Sequence, residues 1–415
     1  MKLIVPMNKT YLSILLLMLV MQVQGQEKTK KALFVIVDGI PKDVVDTVDT
    51  PNIDAVAAEG GFTKAIMGGD PETYSETPTI SAVGYNSLLT GTWANKHNVW
   101  GNSIKQPNYY YPTIFRAFKT AYPSKKTAIY STWLDNRTKL VGANLPATGH
   151  FSFDYYYDGM EIDTLHFPHD EQREFIHLID EVVSKEAATH VRKEGPDLAW
   201  VYLEYSDDMG HKYGNSPEMI DGVKKADVQI GRIWEAIKYR EANFEEDWML
   251  VVTTDHGRTE SGDGHGGQSE RERAIWIATN ADNLNGYFKD NEPEMVDIFP
   301  SIAHHLELSL PKGQAMELDG VSFVGQVSAA DFEVNRAKES LKLTWKAFAK
   351  GEKGRVWIAS SNNFQKGGLD NYWDFGAVNL DDEAAAVSLD GLDSKLLKVV
   401  LETPSGYLNY WVVEE

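Results

Sequence analysis

The sequence predicts an α/β chain, a mostly parallel sheet sandwiched by helices, with a small C-terminal β module. Three observations carry this expectation. Four short apolar runs, residues 32–37, 127–130, 198–203 and 248–253, are as continuously hydrophobic as strands buried on both faces. Helical patterns lie between them, and strands alternating with helices build parallel sheets. After Gln326 the texture changes to apolar and polar residues in alternation, separated by turn residues.

In chain order, the N-terminus comes first. Lys2 and Lys9 precede an apolar run over 11–21, and Val23 and Gly25 lead into a polar stretch. This is the pattern of a signal peptide, residues 1–25, cut after Gly25. The run is shorter than the ~20 residues of a membrane span. The mature chain is therefore expected to be secreted or periplasmic, with no stable membrane insertion after cleavage. A large α/β domain over 26–330 follows. Its clearest helix begins at Ser216, a good cap, with Pro217 in the first helical position. Val223, Ala226, Ile230, Ile233 and Ile237 fall on one face of it. Residues 331–340 are charged and read as a linker helix. Leu341, Leu343, Trp345 and Ala347 then alternate with polar residues, as do parts of 355–359 and 407–413. Residues 331–415 thus read as the β module, with glycan contact as its candidate role.

The chain has 415 residues, enough for one large domain and a small one, and is 42% hydrophobic. Its formal net charge of −21 argues against a nucleic-acid duplex or an anionic membrane as main partner. A phosphate substrate stays open, because bound cations invert the local field. The absence of cysteine removes disulfides, thiolate metal sites and cysteine catalysis.

Three of the apolar runs end in acids: Asp38 after 32–37, Asp207 after 198–203, and Asp255 with His256 after 248–253. In open parallel sheets the carboxyl ends of strands form the site, so three distant segments deliver carboxylates to one edge. A lone acid there is ordinarily a cap or turn residue; three joined by histidines are not. Asp207 and His211 are four apart and share a face if helical, with Asp208 as the adjacent competitor. His265 stands in a Gly-His-Gly-Gly loop. Imidazole and carboxylate without sulfur suit zinc first, then manganese or iron. Residues 77–91 are polar and then apolar, a loop entering a helix whose N-terminus favours an anion; its hydroxyls, Thr77, Thr79 and Ser81 among them, are ordinarily caps, and one of them is the nucleophile such a site needs.

These motifs together resemble the type I phosphodiesterase / nucleotide pyrophosphatase branch of the alkaline-phosphatase superfamily. The set is Val37-Asp38-Gly39, Pro78-Thr-Ile-Ser81, Thr90-Gly91, His97, Asn102, Asp207 with His211, Thr254-Asp-His-Gly257 and Asp319-Gly-Val-Ser322. The likeness covers about residues 30–326. It implies an alkaline-phosphatase-like core and two divalent metal ions, most simply Zn2+. One would be held by Asp207, His211 and His265, the other by Asp38, Asp255, His256 and the Ser81 oxygen. It also implies a phosphoseryl intermediate on Ser81 and a hydrogen bond from Asn102 to a phosphoryl oxygen. The short spacing from Asp-His-Gly to Gly-His-Gly-Gly is closer to phosphoethanolamine-transferase-like branches. The sulfatase pattern of proline and arginine after the nucleophile is missing from Ser81-Ala-Val-Gly-Tyr85.

The expected substrate is a small phosphate ester, a diester before a monoester. A monoester dianion needs a further cation, for which Arg137 is the candidate. Trp100, Trp133 and residues 155–157 are candidates for an aromatic pocket, although Ala82 stands where nucleotide-cleaving relatives often carry an aromatic residue. A non-catalytic glycan-binding protein on a decayed phosphatase fold is the alternative from a different class. Every expected metal ligand is present, which weighs against it.

Overall fold

In a computed structural model, which describes residues 28–389, 391–392 and 394–414, the four apolar runs lie inside one seven-stranded sheet. The expected signal peptide falls outside the described residues. The strands are β1 (Thr29–Val37), β2 (Gly61–Ile66), β3 (Thr127–Ser131), β4 (Tyr155–Tyr157), β5 (Leu198–Leu203), β6 (Glu246–Thr253) and β7 (Ala274–Thr279). Their spatial order is β2-β7-β6-β1-β5-β3-β4. Strand β1 runs parallel to β5 and β6, and β3 runs parallel to β5 and β4. Strand β7 is antiparallel to both β6 and β2.

Alternation along β1 divides the core into two layers. Ala32, Phe34 and Ile36 face one side, where they meet α2 (Ser81–Thr90), α3 (Ile114–Ala121) and α7 (Ile298–His305). Leu33, Val35 and Val37 face the other, where they meet α1 (Pro51–Ala57), α4 (Glu174–Glu194), α5 (Tyr205–Tyr213) and α6 (Pro217–Asn243). Each of the larger side chains among these, Leu33, Phe34, Val35, Ile36 and Val37, fully withdrawn from water, contributes about 1.5–3 kcal/mol of transfer free energy. Helix α6 forms where its cap signals it: the Ser216 hydroxyl accepts from the Met219 amide at 3.2 Å, with Pro217 first in the helix. Its apolar face from Val223 to Ile237 is buried.

The C-terminal residues form two antiparallel sheets. They are built from β8 (Ala329–Ala337), β9 (Ser340–Ala347), β10 (Lys353–Ala359), β11 (Trp373–Asn379), β12 (Ala384–Ser388), β13 (Leu396–Thr403) and β14 (Gly406–Val413). One sheet has the order β11-β10-β13-β14 and the other β12-β9-β8. They share a core that includes Val334, Leu341, Leu343, Val356, Ile358, Leu397 and Val399. The linker helix expected over 331–340 is a correction: these residues belong to β8, its turn and the start of β9. Phe332 and Val334 point inward while Asp331, Glu333 and Asn335 are exposed, so the charged outer face hid a period of two.

Buried charges join this module to the sheet domain. Lys398 reaches the Glu317 carboxylate and Asp370 Oδ2, the latter at 2.7 Å. Lys96 reaches Asp319 Oδ1 at 2.5 Å and Asn409 Oδ1 at 2.9 Å. The Asp319 amide donates to the Gly91 carbonyl at 2.9 Å, directly after α2.

Candidate active site

Strands β1, β5 and β6 are neighbours with one direction, so their carboxyl ends open on one edge of the sheet. Asp38 follows β1 directly, Asp207 lies in the first turns of α5, and Asp255 and His256 follow β6. Helix α2 starts at the same edge with Ser81, and His265 comes from the glycine loop. Two glycines permit this crowding. Gly39 has φ +65°, and a Cβ there would overlap Asp207 and Arg258; a Cβ on Gly84 would lie 2.7 Å from the Asp255 carbonyl.

Ser81 is 5% exposed, and its Oγ lies 3.3 Å from His256 Nε2. His256 Nε2 also lies 3.4 Å from Asp38 Oδ1 and 3.2 Å from Asp255 Oδ2. Both carboxylate oxygens are buried and accept no hydrogen bond. The other oxygen of Asp38 is held by two tyrosines: Tyr202 donates to Oδ2 at 2.7 Å, and the Tyr85 hydroxyl donates to the same atom. Asp255 Oδ1 accepts from the Gly39 amide at 3.0 Å.

A second cluster adjoins the first. His211 Nε2 lies 3.2 Å from Asp207 Oδ2 and 3.0 Å from His265 Nε2. The His256 and His265 rings stack with centroids 3.7 Å apart. Ligand atoms of Asp207, His256 and His265 converge within 4.8 Å, as do those of Asp38, Asp255 and His256. His256 therefore borders both clusters; its distances to Asp38 and Asp255 place it with them, and half-exposed His211 closes the other from outside.

The donor set fits metal ions on two observations. The first is the pair of buried carboxylate oxygens, Asp38 Oδ1 and Asp255 Oδ2, left without a partner. The second is the state of the imidazoles. Nδ1 of His211, His256 and His265 each faces a backbone carbonyl, of Asp263 at 3.0 Å, Gly257 at 2.9 Å and Thr79 at 2.8 Å. A carbonyl only accepts, so Nδ1 carries the hydrogen and Nε2 of the neutral ring offers a lone pair to the site. Two such lone pairs meet 3.0 Å apart between His211 and His265, which requires a proton or a metal cation between them.

The charges agree with this. Burial, and then the neighbouring Asp255 and Asp207, push the Asp38 carboxyl well above its ordinary range. Burial, reinforced by Asp207, pushes Asp255 to about 7. Burial keeps His256 and His265 neutral, holding both below the usual imidazole value. Asp207 behaves differently: burial alone would raise it, yet Arg258 and then His211 hold it well below the usual range.

The remaining expected residues fall as follows. Asn102 is exposed and its Oδ1 accepts from the Ala82 amide at 3.0 Å, which anchors it at the α2 N-terminus beside Ser81. Asp208 turns away into a two-point ion pair with Arg173, 2.7 and 2.8 Å. Arg137 is held by Asp158 at 2.5 and 2.9 Å and lies over the Tyr156 ring. Trp133 packs on the core, edge-on to Tyr85. Trp100 is exposed, with Nε1 on Asn98 at 3.0 Å. Tyr155 stacks on His190 at 3.9 Å and belongs to packing.

Sequence reasoning passed over four residues. Tyr85 lies one helical turn beyond Ser81, a spacing that signalled a shared face. Arg258 directly follows Asp-His-Gly, and Thr79 stands two residues before Ser81. The Thr79 Oγ1 donates to the Gly267 carbonyl at 2.9 Å and accepts from the Gly266 amide at 3.0 Å, which clamps the His265 loop to the entry of α2. Tyr202 carried no signal, since it sits inside a strand that reads as core.

A three-layer α/β core with a hydroxyl at a helix N-terminus, facing two carboxylate–imidazole clusters, defines the alkaline-phosphatase class of architecture. The chain belongs to the type I phosphodiesterase / nucleotide pyrophosphatase family, whose model matches residues 32–289. It is 26% identical over 253 residues to human ectonucleotide pyrophosphatase/phosphodiesterase family member 7, covering 57% of this chain and 50% of that protein. It is 24% identical over 242 residues to a venom phosphodiesterase of Macrovipera lebetinus, covering 56% of this chain and 26% of that one. The chain thus spans about half the length of the human relative. A putative sulfatase from Bacteroides thetaiotaomicron shares the fold at TM-score 0.50 and 11% identity, over 84% of this chain and 86% of that one.

Proposed function

We propose that this chain is an exported, metal-dependent phosphoric ester hydrolase, phosphodiesterase or nucleotide pyrophosphatase in type, with Ser81 as nucleophile. The observation that carries the reading is the placement of Ser81 Oγ, 3.3 Å from His256 Nε2, at a helix N-terminus beside two buried carboxylates that each keep one oxygen without a partner. Asp38, Asp255, His256 and the Ser81 oxygen would hold one divalent cation, and Asp207, His211 and His265 the other, with Zn2+ first among the candidates. Bound there, the cations lower the pKa of a coordinated hydroxyl and offset charge on the phosphoryl oxygens. Ser81 Oγ, its proton released to solvent, bonds to phosphorus as the bond from phosphorus to the leaving oxygen breaks on the opposite side, and the departing alkoxide takes a proton from water. Water then cleaves the phosphoseryl ester and restores the hydroxyl. The N-terminal end of α2 and the Asn102 side-chain amide would stabilise the growing charge on the phosphoryl oxygens. Asn102 is set for this by its bond from the Ala82 amide.

The engagement of Arg137 with Asp158 favours a diester over a monoester, because it removes the cation proposed for a dianion. Export rests on the pattern of residues 1–25. Among the described residues no helix is long and apolar enough to cross a membrane. The test is turnover of bis(p-nitrophenyl) phosphate against p-nitrophenyl phosphate by protein stripped of metal and reconstituted with Zn2+. The diester should be preferred, and the stripped protein should be inactive. Equal activity without metal, or no turnover of either ester after reconstitution, would overturn the reading.

A further inference from the structure

The two clusters carry unequal charge, and one buried residue causes the inequality. Arg258 is 1% exposed. Its Nη2 lies on Asp207 Oδ1 and donates to the Asp207 carbonyl at 2.8 Å; Nε donates to the Gly39 carbonyl at 2.9 Å and Nη1 to the Gly262 carbonyl at 3.2 Å. The slot is shaped for it, because a Cβ at Gly39 or at Gly210 would overlap the guanidinium. Asp207 therefore meets His211 and His265 with its charge already balanced, and only Oδ2 is left toward His211 at 3.2 Å. Asp38 and Asp255 have no such partner: among the described residues neither forms an ion pair with a lysine or arginine. One cluster thus offers two uncompensated carboxylates, and the other offers one carboxylate cancelled by a guanidinium.

We propose that Arg258 is a positioning residue that makes the Asp207–His211–His265 cluster the weaker, exchangeable metal site, so that Asp38–Asp255–His256 loads first. The inference rests on the two-metal reading above and deepens it. A divalent cation entering the Asp207–His211–His265 cluster meets a fixed positive charge within a few ångströms, while one entering the Asp38–Asp255–His256 cluster meets two acids in a dry site with no competing guanidinium or ammonium. Coulomb energies at that range separate the two affinities by about tenfold or more. The same guanidinium fixes the Asp207 carboxylate, so the weaker site is still well ordered.

The test is calorimetric titration of the metal-free full chain with Zn2+ against a competing chelator, read as stoichiometry and affinity. Wild type should show two classes of site at least about tenfold apart. Asp255→Asn should remove the tight class and Asp207→Asn the weak one. Arg258→Gln should tighten the weak class by about tenfold and leave the tight class unmoved. A structural defect would weaken both classes instead. If Arg258→Gln does not fold, the two aspartate variants still decide the order of loading. Two equal classes in wild type, or loss of the tight class with Asp207→Asn, would overturn the inference and leave the hydrolase reading intact. Failure to bind any Zn2+ would sink the two-metal reading itself.

Discussion

Replacing Tyr85 with phenylalanine deletes one oxygen and keeps the ring. The contacts of that ring with Tyr202, Trp200 and Trp133, at centroid distances of 4.9, 6.2 and 6.4 Å, survive the change. The loss is confined to the hydroxyl, which donates to Asp38 Oδ2 and lies 2.9 Å from the Tyr202 hydroxyl. A hydrogen bond to a charged acceptor contributes about 1.5–3 kcal/mol, and Tyr202 remains as the second donor, so about 2 kcal/mol should be lost. The effect should concentrate in the metal-loaded state, where Asp38 must be fully ionised and Oδ1 must be free to ligate. Outer partners of metal ligands contribute about 10–100-fold in affinity, which agrees with about 2 kcal/mol. The assay is Zn2+ competition titration of Tyr85→Phe beside wild type, with urea unfolding of the loaded proteins. Unchanged Zn2+ affinity together with an unchanged unfolding midpoint would refute the reasoning, since Asp38 would not then depend on its tyrosine pair.

Other expectations follow from the same geometry. Ser81→Ala should lose several orders of magnitude in steady-state turnover while retaining metal, because the acids and imidazoles remain; substantial residual turnover would remove Ser81 as nucleophile. Thr79→Ala should be far milder, costing about 1–2 kcal/mol from two lost hydrogen bonds in the His265 loop, measured by urea unfolding. Burial lowers His97 from 6.5 to about 3. The unfolded chain therefore binds a proton there that the folded chain refuses, and stability should fall as pH drops from about 6.5 toward 3. His97→Gln should flatten that part of the stability profile, and an unchanged slope would contradict the assignment. Lys398→Met leaves Glu317 and Asp370 buried without their cation, and should destabilise by about 3–5 kcal/mol in the same unfolding assay.

The central strands were legible because each is buried on both faces, which leaves an uninterrupted apolar run. Helix α6 was legible because its cap, proline and stripe all agree. Strand β8 was not, because its solvent side carries Asp331, Glu333 and Asn335, and charge density at short range looks the same on a helix and on an exposed strand face. The acids and histidines of the site stood out because residues of that chemistry are conspicuous at strand ends. Arg258 and the two tyrosines act through other side chains rather than on a substrate. Partners of that kind are set by contacts across the fold, such as that between Arg258 and Asp207, 51 positions apart, and apart from the helical spacing of Tyr85 from Ser81 no local pattern encodes them. Arg137 shows the converse: a plausible cation in the sequence is committed in space to Asp158.

The buried charges between module and sheet domain bear on how the chain is made. Lys398 lies 81 positions beyond Glu317, and Asn409 lies 313 positions beyond Lys96. Emerging from the ribosome in order, the segment that follows α2 waits for partners that are synthesised last. The sheet domain can collapse early, but its buried ammonium and carboxylate groups find their full set of partners only once β13 and β14 have formed. Contacts of such separation slow the final step and prolong the life of half-assembled species with open apolar edges. Synthesis at low temperature, and through to the last strand, should therefore govern the yield of folded protein more than any property of the candidate site.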